Sequence, residues 1–153
     1  MSKQEKDLSY QPSNQMVKDE KPSMAELAGQ DSIMRFAVVF QPSLEAGAAA
    51  NAAAIVTGGL RCEGFGAPIF DADGHAHAAI QWNLVVLKAK SSAQLKKLLV
   101  AAKERSVQAV AFSQCGQGLS NSFSIYKEEI ERQHTEELDV LAVGLFGLDS
   151  EVR

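Results

Sequence analysis

Read from its start, the chain shows few large apolar side chains over residues 1–31, where Lys, Glu, Asp, Gln and Ser dominate. Such a stretch cannot bury enough surface to offset the entropy of ordering, and it is expected to be a polar arm, flexible or docked. Within it, Ser23 and Glu26 are spaced as a capping box and Gly29 as a stop, which predicts one or two helical turns. The pattern then changes. Arg35 to Phe40 is a β-branched and aromatic run, broken by Gln41-Pro42-Ser43. Ala48 to Thr57 is almost all small residues and stops at Gly58-Gly59, the sign of a helix that can lie close to a sheet or a ligand. Trp82 to Lys88 is an unbroken apolar run, which predicts a central strand buried on both faces.

The period changes again after Lys88. Ser91 and Gln94 are spaced as a capping box, and Leu95, Leu98, Leu99 and Ala102 follow at helical intervals, so a helix is expected over 92–105. A strand is expected over 107–113. Ser113 to Asn121 is a loop rich in Gly, Ser, Gln and Asn, and a second amphipathic helix over 122–133 turns Ile125, Tyr126 and Ile130 inward. The last strand is 140–146. Between the first helix and Trp82, Asp71-Ala72-Asp73-Gly74 is a turn signal joining Ala67–Phe70 to His75–Ile80 as a hairpin. The expected fold is α/β: a single domain over 32–153 in which helices cover a small mixed four-stranded sheet.

Composition narrows the function classes. The chain has 153 residues, 46% of them hydrophobic, enough for a real core. Its net charge of −4 offers no surplus of cations for a phosphate backbone, so nucleic acid is disfavoured as a partner. The lysines and arginine between Lys88 and Arg105 read first as a solvated helix face. Two distant cysteines, Cys62 and Cys115, suit a reducing cytoplasm. The polar N-terminus is not a signal peptide, and no apolar run approaches the ~20 residues of a membrane span. The protein is expected to be cytoplasmic, with no membrane partner.

Candidate chemistry is sparse. Gly47, Ala48, Ala49, Ala50 and Asn51 open the first helix, where free N–H groups and the positive helix end suit an anion. With a single glycine there is no nucleotide fingerprint, and close packing on the sheet explains the same residues. Asn51 either bonds a ligand or ties a loop carbonyl. If the first strand and the 107–112 strand are parallel neighbours, Ser113 and Cys115 come to the same sheet edge as Gly47, so these residues complete the candidate ligand-binding set. Cys115 could be a nucleophile if His75 or His77 came near it, and the loop serines Ser113, Ser120 and Ser122 have the same requirement. His75 and His77 lie on one side of a strand beside Asp73, a spacing a metal could use, although a polar hairpin accounts for it and no metal site or cofactor is assigned.

The motif from Arg35-Phe36-Ala37-Val38-Val39-Phe40 through Pro42-Ser43-Leu44, Gly47 and Asn51 to Ala54 resembles a mainly bacterial, uncharacterised group, the domain of unknown function 2000 family. Asp71–Gly74, Val85–Ala89, Leu95–Ala102 and Val143–Gly147 are similar to it as well. The resemblance covers 34–148 and implies the fold of type II peptidyl-tRNA hydrolases. Those enzymes carry D-L-x-x-G-K-G-K before an A-A-Q-x-x-H-A helix. Here Ser43 stands for the Asp, Leu44 and Gly47 are kept, Ala48 and Ala50 replace the lysines, and Ala54 and Thr57 stand at the Gln and His positions. A later Asp is matched by Ser113-Gln114-Cys115. Without the lysines nothing holds an RNA phosphate or a developing negative charge, so peptidyl-tRNA hydrolysis is not expected. Three readings follow. The first is a module that binds a small polar or anionic molecule at the first helix. The second is a hydrolase-like enzyme with altered residues. The third is an oligomerising structural domain, for example a homodimer.

Overall fold

A computed structural model describes residues 33–60, 65–79, 81–117 and 122–153. The expected arm, Cys62 and Ser120 lie outside these. The described residues belong to one compact unit, Ser32–Arg153. Its elements are β1 (Met34–Phe40), α1 (Ala46–Gly59), β2 (Ile69–Phe70), β3 (Ala76–His77), β4 (Asn83–Lys88), α2 (Ser92–Glu104), β5 (Gln108–Ser113), a short 3₁₀ turn (Gln114–Gly116), α3 (Phe123–Arg132), β6 (Val140–Leu148) and α4 (Asp149–Val152). No helix among the described residues is long and apolar enough to cross a membrane.

Four strands form one mixed sheet in the order β4-β1-β6-β5. β1 runs parallel to β4 and antiparallel to β6, and β5 is antiparallel to β6. Hence β1, β4 and β5 all point the same way, and their carboxyl ends share one end of the sheet with the start of β6. The expectation that β1 and β5 are parallel neighbours is corrected: they run the same way, but β6 pairs with both and lies between them.

Alternation along β1 distributes side chains to two layers. Ala37 and Val39 pack with Leu95, Ala102, Val143 and Leu145 under α2. Val38 packs with Ala52, Val56, Phe112, Leu141 and Ala142 under α1. Phe36 stacks on Phe146 at 4.4 Å between ring centres and meets Phe65 at 4.7 Å. α1 lies close to the sheet at a glycine of the strand. A Cβ on Gly144 of β6 would stand 3.1 Å from Val56 Cβ and 3.2 Å from Leu60 Cδ1, so helix and strand touch where the strand has no side chain.

The expectation that the Trp82–Lys88 run is central is corrected. β4 is an edge strand. An apolar run looks the same in both settings; here Leu84 and Val85 reach the helices, while Val86 and Leu87 remain half exposed. The strand buried on both faces is β6, which contains no polar side chain from Val140 to Leu148. The hairpin is shorter than expected, two residues in each strand. On α3, Tyr126 and Ile130 are half buried but Ile125 is exposed, against the expected inward turn. Tyr126 meets Phe112 at 6.3 Å between ring centres.

Candidate functional site

The shared end of the sheet is organised by Gln41, the residue that leaves β1. Its backbone N–H continues the ladder to Leu141 O at 2.8 Å, and Pro42 then stops the strand. Its side-chain Nε2 donates to Ser92 Oγ at 2.9 Å and to Asp139 Oδ1 at 3.0 Å, and Ser43 Oγ donates to its Oε1 at 3.2 Å. This uses both amide protons, and the orientation is forced, since an amide oxygen facing Asp139 would oppose a carboxylate. Asp139 in turn accepts from Gln114 N at its backbone oxygen, at 2.8 Å. One side chain therefore links the exit of β1, the start of α2 and the entry of β6, and through Asp139 the exit of β5.

α1 begins beside this cluster. Leu44 N bonds back to Gln41 O at 3.2 Å, and the first helical bond is Ala49 N to Glu45 O at 2.9 Å. The N–H groups of Ala46, Gly47 and Ala48 precede that bond and have no intrahelical acceptor. Glu45, the N-cap, makes no side-chain cap, and the first turn holds no acid. Ala46 and Gly47 are exposed, and a Cβ on Gly47 would meet nothing within 4 Å. α2 likewise lacks a side-chain cap: Ser91 is its N-cap without a side-chain bond, and Gln94 Oε1 accepts from Lys90 N at 2.7 Å instead of closing the expected capping box on Ser91.

The seven residues singled out in the sequence fall into separate environments at this one sheet end. Gly47 and Ala48 carry free N–H groups. Ala49 is only 8% exposed and Ser113 only 2%, so both belong to the interior. Ala50 and Asn51 face solvent, and Asn51 is not the buried polar group that would need a loop carbonyl. Cys115 is half buried in the 3₁₀ turn as a free thiol. That turn is shaped by Gly116, whose Cβ would lie 2.5 Å from Phe112 Cε2 and 3.0 Å from Tyr126 Cε2. Burial pushes the Tyr126 hydroxyl pKa up, and the neighbouring Cys115 adds to this, against a backbone bond at Ser113 that lowers it. Leu44, ahead of α1, and Tyr126 of α3 pack on the same apolar cluster as Phe112 at the end of β5.

The hairpin forms a second polar group. Asp71 Oδ1 accepts from Asp73 N at 3.0 Å and from His75 N at 2.9 Å, and its Oδ2 lies 2.8 Å from His77 Nε2. The His77 bond, with His75 N second, holds the Asp71 carboxyl below its usual range. Gly74 takes the left-handed conformation the turn needs, φ 84°. His75 Nδ1 is 3.6 Å from Asp71, so both rings turn to this carboxylate and neither is engaged by Cys115. Donor atoms of Asp71, Asp73 and His75 lie within 4.8 Å of one another, all on exposed residues.

Gln41, Ser92 and Asp139 escaped the sequence reading. The available signal was a polar residue at the exit of the first strand and another at the entry of the last. Their meeting depends on β1 and β6 being paired, which no local pattern states.

The profile of the family described as protein of unknown function (DUF2000) matches residues 34–153. No curated protein matches the chain significantly. The solved structure of Atu0240, a protein of unknown function from Agrobacterium tumefaciens strain C58, is similar in fold, with a TM-score of 0.69 at 16% identity over 78% of this chain and 90% of that one.

Proposed function

The chain belongs to the DUF2000 family, proteins of unknown function, and from the geometry of its own sheet end we propose that it is a binding module for a small polar or anionic molecule held at the start of α1. The observation that carries this reading is the uncapped first turn, where the Ala46, Gly47 and Ala48 N–H groups have no intrahelical acceptor and Ala46 and Gly47 are exposed, just after the Gln41 cluster. Those groups carry the positive end of a helix dipole and suit a carboxylate or phosphate oxygen. The carboxyl end of same-direction strands is also where α/β sheets take their ligands. Glu45 and Asp139 add negative charge nearby, which favours a ligand that brings a hydroxyl or amine along with its anionic group. Ser43 and Ser92 offer hydroxyls to the same ligand, and the 113–116 segment with Cys115 forms its wall. The free Cys115 fits a reducing, cytoplasmic setting.

A thermal-shift screen tests this. Inorganic phosphate, small carboxylates and nucleoside monophosphates are the probes. One of them should raise the melting temperature, because a molecule that binds only the folded state stabilises it. Ala50 lies one turn beyond Ala46 and faces solvent, and helical side chains lean toward the N-terminus. Ala50→Trp should therefore cover the free N–H groups and abolish the shift while leaving the unliganded protein as stable as before. A shift that survives Ala50→Trp, or a variant that no longer folds, overturns the reading.

A further inference from the structure

We infer that the outer edge of β4 is where a second copy of this chain adds on, joining two four-stranded sheets into one by antiparallel β4–β4 pairing. Ala89 N bonds Phe40 O at 2.9 Å, and Phe40 lies opposite Lys88 in the parallel register. In such a ladder alternate residues turn both backbone groups to the same neighbour. Val85, Leu87 and Ala89 are therefore bonded to β1, and Leu84, Val86 and Lys88 point their N–H and C=O groups outward. Among the described residues, no strand takes them.

Edges of this kind are normally blunted by charges, proline or bulges. Leu84-Val85-Val86-Leu87 has none of these. The opposite edge, β5, does break register, between Phe112 and Ser113. Val86 is 51% exposed and Leu87 50%, and being adjacent they lie on opposite faces of the sheet. A strand laid alongside covers both, which a helix resting on one face does not.

The strand is complementary to itself. Antiparallel pairing about a two-fold axis perpendicular to the sheet keeps each face continuous, so paired residues must share a face. With Val86 opposite its own copy, Val85 falls opposite Leu87 and Leu84 opposite Lys88, and the outward N–H groups meet outward carbonyls. The two Lys88 side chains then stand four positions apart along the strand, about 13 Å at about 3.3 Å per residue. That exceeds the Debye length of about 8 Å at physiological salt, so they do not repel strongly. No acidic side chain lies between Gln81 and Lys90 to prefer a basic foreign strand.

Sedimentation velocity of the full chain over a concentration series tests the inference, paired with amide hydrogen exchange at low and high concentration. A reversible monomer–dimer equilibrium is expected, with exchange at Leu84, Val86 and Lys88 slowing as dimer forms while Val85 and Leu87 stay unchanged. Val86→Lys, and independently Leu87→Lys on the other face, should weaken dimerisation by about tenfold or more without lowering the melting temperature of the monomer. A chain that stays monomeric at every concentration overturns the proposal, whether its edge is bare or covered from within. So does a dimer that both lysine variants leave intact, or one whose protection appears along β5.

Discussion

Replacing Gln41 by alanine removes its bonds to Ser92, Asp139 and Ser43 in one step. These groups reach water once released, so each bond is worth less than a buried one. Taking about 0.5 kcal/mol for each hydroxyl partner and about 1 kcal/mol for the charge-assisted bond to Asp139, the loss is about 2 kcal/mol. For a domain of this size, at about 3–5 °C per kcal/mol, the melting temperature should fall by about 6–10 °C. Gln41→Glu is the sharper test, because it sets a carboxylate against Asp139 where the amide donated. It should cost more than alanine at neutral pH and recover part of that loss in acid, where protonation restores a donor. Urea unfolding of both variants supplies the free energies, and a double-mutant cycle with Ser92→Ala should show coupling of about 0.5 kcal/mol. If Gln41→Glu proves no worse than Gln41→Ala, the cluster does not hold this end of the sheet together.

Other consequences can be checked separately. The Arg35 bond, with Arg153 adding its charge, holds the Asp149 carboxyl below its usual range; a lowered carboxyl stabilises the fold above its ordinary pKa of about 3.9 and loses that contribution as pH falls through the lowered value. Asp149→Asn should thus be less stable than the parent at pH 7, with the gap closing in acid below about pH 4; urea unfolding showing a gap that ignores pH would refute the assignment. Gly144→Ala forces a methyl against Val56 and Leu60 and should cost about 1–3 kcal/mol by denaturant unfolding. Gly47→Ala meets open space and should be neutral or gain up to about 1 kcal/mol, so equal losses in both would contradict the packing. With Ala48 and Ala50 exposing no cation, peptidyl-tRNA incubated with the protein should turn over no faster than in buffer, and measurable cleavage would contradict this.

How far the sequence reveals this molecule varies by element. β1, α1 and α2 were legible because their apolar spacing is local and because Pro42 and Gly58-Gly59 are strong stops for the first two. The position of β4 was not, since Leu84–Leu87 reads as a buried strand whether a neighbour lies on one side or two. Within α1 the inward Ala49 and outward Ala50 are the same residue type, so composition could not tell packing from an open site; only the helix phase against Val56 and Leu60 does. The common direction of β1 and β5 follows from their both pairing antiparallel with β6, and the intervening β6 was not legible, because strand order depends on tertiary pairing. The link at this sheet end, Gln41 to Asp139, spans 98 positions and likewise follows from tertiary pairing alone.

The proposed binding of small polar or anionic molecules at the first turn of α1 can be followed at the amides themselves. The most direct measurement is a titration of isotope-labelled protein with inorganic phosphate and with the best probe from the screen, followed amide by amide in nitrogen–proton correlation spectra. Saturable shifts are expected to concentrate at Ala46, Gly47 and Ala48, with smaller ones at Ser43, Ser92 and Cys115, and none in Ala50→Trp. Shifts that centre on the lysines of α2 or on the Asp71 hairpin, with the Ala46–Ala48 amides unmoved, would contradict the proposed binding.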